Sequence, residues 1–106
     1  MIYRVSGKFL YDKAEEFMQR LKDGTIERQM PDGPEIVRAM KSAIIDNIGV
    51  VNWTEECFCP IPLMHERETI YDLYFTALTT EVIPNHEILE GVSFVDKLSL
   101  LLKNSR

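Results

Sequence analysis

The apolar residues near the N-terminus change their period at Asp12, and this change constrains the fold more than any other feature. Tyr3, Val5, Gly7 and Phe9 alternate with Arg4, Ser6 and Lys8. That is the period-two pattern of a half-buried strand. From Ala14 the period lengthens, and Ala14, Phe17, Met18 and Leu21 fall at i, i+3, i+4 and i+7, the apolar stripe of a helix. Asp12 is placed to cap this helix, with Glu15 three residues on, and Gly24 is placed to end it. A strand that runs straight into an amphipathic helix asks for a second layer, so helix and sheet share one core. Gly7, on the inner face, reads as room for a crossing helix.

The remaining elements follow from similar patterns. Met30-Pro31-Asp32-Gly33-Pro34 is a turn cluster. Asp32 or Gly33 can cap a second helix with Pro34 in its first turn. Ile36, Val37, Met40, Ala43 and Ile44 form its stripe, and Asp46-Asn47 with Gly49 end it. Val50 to Cys59 read as a second strand, closed by Pro60 and Pro62. Leu63 to Thr69 read as a charged connection. Ile70 to Thr80, rich in aromatic and β-branched residues, read as the strongest strand, apolar on both faces and therefore central. Phe94, Leu98, Leu101 and Leu102 fit a last helix from Ser93, with Leu98 to Leu102 as an alternative fourth edge strand.

With 106 residues, 45% of them hydrophobic and 27% charged, the chain has ordinary globular usage and the size of one domain, residues 1–106. A net charge of −5 and scattered Lys and Arg speak against nucleic acid and anionic membrane as partners. No window approaches a membrane span, and the first residues carry no apolar signal core. Two cysteines, Cys57 and Cys59, do not make a disulfide framework. A cytoplasmic protein is the expectation.

The element order is strand, helix, helix, strand, strand, helix. It resembles the split βαβ of the ferredoxin-like fold, and of the small proteins that pair such sheets into dimeric α+β barrels. The resemblance rests on element order, without a motif. It implies an α+β domain with a three- or four-stranded antiparallel sheet, helices on one face, and a homodimer as partner.

The chemistry-bearing residues concentrate between Trp53 and Glu68, where both thiols, one histidine and four carboxylates fall. Cys57, Cys59 and His65 are ligand types that zinc prefers, but Cys-x-Cys is not a zinc knuckle and no second pair supplies a fourth ligand. No metal and no cofactor are therefore expected, and the cysteines read first as small hydrophobes on a strand. A nucleophilic thiolate needs a nearby cation and base, and Glu55 and Glu56 oppose it. Glu55 breaks an apolar face shared by Val51, Trp53, Cys57 and Cys59. It calls for an ion pair with Arg4, Arg67 or Lys97, for water at a strand end, or for a pocket in which its pKa is raised. Trp53, Tyr71, Tyr74 and Phe75 read as core, or as lining of a ligand cleft or a partner surface. His86 reads as exposed.

No P-loop, dinucleotide fingerprint, zincin helix or nucleophile elbow is present. Two readings remain. One is a non-catalytic homo-oligomeric interaction domain. The other is a small-molecule-binding protein or enzyme whose pocket lies between sheet and helices, using Glu55, Cys57, Cys59, His65 and Tyr74.

Overall fold

The computed structural model describes residues 1–104. Strand β1 (Ile2–Phe9) leads through a 3₁₀ turn (Tyr11–Lys13) into helix α1 (Ala14–Lys22), as the change of period requires. Helix α2 (Gly33–Ser42) follows, then the two-residue strand β2 (Ile44–Ile45) and strand β3 (Val50–Glu56). A helical run over 64–74 comes next: α3 (Met64–Glu66), a π-turn (Arg67–Tyr71) and α4 (Asp72–Tyr74). Strands β4 (Phe75–Ile83) and β5 (Val92–Ser93) and helix α5 (Phe94–Asn104) complete the chain.

The sheet is antiparallel throughout, in the order β4-β1-β3-β2-β5. The fold is α+β, with five strands rather than three or four. Strand β1 is interior, pairing with β3 on one side and β4 on the other. The segment expected at the centre, Ile70 to Thr80, is instead helical up to Tyr74 and an edge strand from Phe75. The reason lies in the burial. Leu63, Glu66, Ile70, Tyr71 and Tyr74 are all buried, at i, i+3, i+7, i+8 and i+11, so helical spacing runs through the charged connection into the supposed strand. The apolar residues that gave the strand its second face are the core stripe of this helix.

The end of α2 departs from expectation for a local reason. The helix stops at Ser42, and Ile44–Ile45 pair with Val51 and Asn52. Asp46 Oδ1 accepts the amides of Ile48 (3.0 Å) and Val50 (2.9 Å), so it forms the turn of a hairpin rather than a helix terminus. Ser93 Oγ accepts the Asp96 amide at 3.4 Å at the start of α5, so Leu98 to Leu102 are helical.

Helices cover one face of the sheet. Tyr3, Val5, Phe9, Val51, Trp53 and Phe75 meet Phe17 and Met18 of α1, Ile36 and Met40 of α2, and Phe94 and Leu98 of α5. Phe9 packs edge-on against Phe17, Phe75 and Phe94 at ring separations of 5.0–5.6 Å. Gly7 leaves room for β4 rather than for a helix: a Cβ there would lie 2.8 Å from Leu78 Cδ1. The register shifts between Ser6 and Lys8 and Ala77 adopts φ 53°, so a bulge folds Leu78 back over this glycine. Arg4, Lys8 and Glu56 are exposed on the opposite, polar face.

Candidate functional site

The site gathers where β3 ends. Beyond Trp53 this strand has outrun β2, so its outer edge lacks a neighbouring strand. Two side chains of α2 substitute for one. Arg38 Nη2 donates to the Thr54 carbonyl at 2.8 Å, and Glu35 Oε2 accepts the Glu56 amide at 2.8 Å. Arg38 and Glu35 are themselves joined, Nε to Oε1 at 2.6 Å and Nη2 to Oε2 at 3.0 Å. On the inner edge the ladder with β1 continues past the strand, because the Cys57 amide donates to the Met1 carbonyl at 2.9 Å. Both edges of residues 54–57 are thereby fixed.

Glu55 lies on the buried face with Trp53, and no part of it reaches solvent. Its Oε1 accepts the Trp53 indole N–H at 2.9 Å and a short hydrogen bond from the Tyr71 hydroxyl. Its Oε2 is buried without a hydrogen-bond partner among the described residues. Burial is the main cause that raises the carboxyl to about 8, and the nearby charges of Glu66 and Glu35 add to it. The hydrogen bonds of Tyr71 and Trp53 act the other way. Tyr71 is held well above the ordinary phenol range, first by its own burial and then by Glu55. The ion pairs expected of Glu55 with Arg4, Arg67 or Lys97 do not form; Arg67 pairs with Asp72 at 3.2 Å.

The thiols come next along the chain. Cys57 is buried and Cys59 half-buried, and both are free. The Cys59 amide donates to Cys57 Sγ at 3.2 Å, and Cys59 Sγ lies 3.5 Å from Glu66 Oε1. Burial pushes the Cys57 thiol up to about 12 and Glu66 adds to it, while the Cys59 and Leu63 amides act the other way, an environment that disfavours a nucleophilic thiolate. Glu66 is 1% exposed. Both sulfurs and a Glu66 oxygen lie within 4.8 Å of one another.

His65 precedes Glu66 on α3 and faces Asp32 at the start of α2. The sequence offered Asp32 as the cap of that helix, but its side chain makes no capping bond and holds His65 Nδ1 in a short hydrogen bond. Gly33 permits the approach. A Cβ there would lie 2.4 Å from the carbonyl oxygens of Ile26 and Glu27, so the loop backbone presses on the first turn of α2 beside Asp32. Asp32, His65 and Glu66 form a second group with donor atoms within 4.8 Å, sharing Glu66 with the first. A cavity of about 360 Å³, lined by Asp32, Glu35, Cys57, Phe58 and Cys59 among others, opens onto the cluster.

Four of the five residues singled out from the sequence, Glu55, Cys57, Cys59 and His65, thus converge. Tyr74 does not: its hydroxyl donates to Glu16 at 2.6 Å and accepts from Arg20 at 2.8 Å on α1. The phenol beside Glu55 is Tyr71, three residues earlier on the same helical run. Glu66 and Asp32 were missed. Glu66 was visible as one carboxylate of the dense stretch, and its role follows from the helix that turns it inward. His86 is exposed, as expected, and its Nδ1 meets Thr54 Oγ1 at 2.8 Å.

No family model, curated protein or solved structure matches this chain. No helix among the described residues is long and apolar enough to cross a membrane.

Proposed function

We propose that this domain is a ligand-binding protein whose site is the cluster of Cys57, Cys59, His65, Glu66 and Asp32, backed by Glu55. One observation carries the reading: two carboxyl groups, Glu55 and Glu66, are buried at the same end of the core with no salt bridge among the described residues. Buried charges that serve the fold alone are paired. Groups that burden the fold are retained where a site needs them. The test is the isosteric double change Glu55→Gln/Glu66→Gln in protein freed of small ligands. Its stability should rise. A fall would show that the two acids hold the fold together, and the reading would fail.

A homodimer is the second reading, and the free edge of β4 favours it. The apolar pattern on both faces of Ile70 to Thr80 adds no support, because residues 70–74 are helical. A second copy would add to the stretch beyond the bulge at Ala77. A monomer mass by light scattering at high micromolar concentration would exclude it. We also read the sheet as ferredoxin-like at its core. Support comes from the order β4-β1-β3-β2, in which β3 lies between β1 and β2 and β1 lies between β3 and β4. Strand β5 and α5 would then be additions.

A further inference from the structure

We propose that the ligand is one thiophilic divalent metal ion of the zinc class, held by Cys57, Cys59 and Glu66 with His65 as fourth donor. This rests on the reading of the cluster as a ligand site and names what the site takes. The first argument is distance. When a sulfur and a carboxylate oxygen share one tetrahedral zinc, at the usual ~2.3 Å and ~2.0–2.2 Å, they stand about 3.5–3.7 Å apart. Cys59 Sγ and Glu66 Oε1 are 3.5 Å apart, and Cys57 Sγ is within 4.8 Å of both.

The second argument is the donor set. Two sulfurs, one carboxylate and one imidazole suit zinc and its neighbours, and do not suit calcium or magnesium, which take oxygen. The sequence-level objection was the missing fourth ligand. The fold brings His65 to the same Glu66, a ring nitrogen within 4.8 Å of the carboxylate, so that a movement of the imidazole toward the thiols would complete the set. His65 is already held by Asp32, as ligating histidines are usually held by a carboxylate that fixes the ring and its tautomer. The Cys59 amide on Cys57 Sγ supports the sulfur in the same sense. A divalent ion would also give the buried Glu66 the positive charge that no side chain among the described residues provides. The cavity lined by Asp32, Cys57 and Cys59 gives the ion an entry path.

The experiment uses the full chain, stripped with chelator and titrated with Co²⁺ and then Zn²⁺. One ion per chain should bind. Cobalt should give a thiolate-to-metal charge-transfer band in the near ultraviolet, and zinc should abolish it. Cys59→Ser should lose most of this band and most of the zinc affinity. Asp32→Asn should keep the band while zinc binding weakens by about 10–100-fold, the usual effect of losing an outer partner. If Cys59→Ser does not fold, the isosteric Glu66→Gln decides, and it too must weaken zinc binding. No band and no retained zinc in the unaltered chain would overturn the proposal, as would unchanged zinc affinity in both Cys59→Ser and Glu66→Gln. Should zinc fail to bind while Glu55→Gln/Glu66→Gln still stabilises the stripped protein, the site stands and takes another class of ligand. If that double change destabilises instead, the ligand-site reading itself falls.

Discussion

Replacing Glu55 by Gln should stabilise the metal-free protein at neutral pH, and by an amount that follows from the carboxyl's surroundings. Its proton affinity moves from an ordinary value of 4.5 to about 8, chiefly through burial. Below pH 4.5 the group is protonated in both the folded and unfolded chain and costs nothing. Between 4.5 and 8 folding takes up a proton, and stability falls by about 1.4 kcal/mol per pH unit. Above 8 the penalty is constant. At pH 7 it amounts to about 3 kcal/mol. Gln keeps the acceptor that Trp53 and Tyr71 use and does not titrate. The acidic proton sits on Oε2, because Oε1 already accepts two hydrogen bonds, so an unpartnered donor exists there in either residue. The amide adds one further N–H, which costs about 1 kcal/mol. The net gain at pH 7 is about 2 kcal/mol, a rise in Tm on the order of 10 °C. The groups that set this balance are Glu66 on α3, Glu35 on α2, and the Tyr71 hydroxyl and Trp53 indole that face the carboxyl. Trp53 is the only tryptophan, so urea unfolding followed by its fluorescence from pH 4 to 8.5 reads both proteins. The two stability curves should converge near pH 5 and diverge steadily above it. Curves that stay parallel across this range would refute the argument.

Three further changes probe the same end of the core. Trp53→Ala removes a fully buried ring that packs on Tyr71 and Phe75 at about 5 Å and should cost ~3–5 kcal/mol in urea unfolding. Tyr71→Phe leaves Glu55 with one donor, so it should cost about 1–2 kcal/mol and move the Glu55 midpoint further upward, read as a shift of the pH–stability curve. Arg38→Met uncovers the Thr54 carbonyl and frees Glu35; a loss of about 1–3 kcal/mol is expected, with faster hydrogen exchange of the Glu56 and Cys57 amides than of those in β1.

The N-terminal half was legible because each of its segments keeps one period. In β1 the alternation places Tyr3, Val5 and Phe9 in the core, and in α1 the stripe of Phe17, Met18 and Leu21 does the same. Residues 63–74 were not, although their buried positions keep helical spacing. The composition around Tyr71, Tyr74 and Phe75 favours strand, and tertiary packing overrides that preference. Misreading this one segment had two consequences. It placed β4 at the centre of the sheet, and it hid Glu66, which faces inward only once the chain around it is a helix.

The candidate site shows a different limit. Glu55 announced itself by breaking an apolar face, and the options for it included a pocket and a raised pKa, as well as several cationic partners. Which applied could not be read along the strand, because the deciding groups come from elsewhere. Trp53 is on the same face two residues away, but Tyr71 arrives on the helical run and Glu35 on α2. Asp32 is the sharper case. Its sequence context, a turn before Pro34, marks it as a helix cap, and that local role is plausible enough to close the question. Yet the cap is not made, and the carboxylate holds His65, 33 residues away. A side chain that forgoes an available local hydrogen bond for a distant one is informative, because the cap it gives up is worth about 1 kcal/mol. The pairing with His65 must offset that loss, and it fixes the imidazole beside Glu66. Local propensity therefore located the elements, while the long-range partners of Asp32 and Glu66 assembled the chemistry.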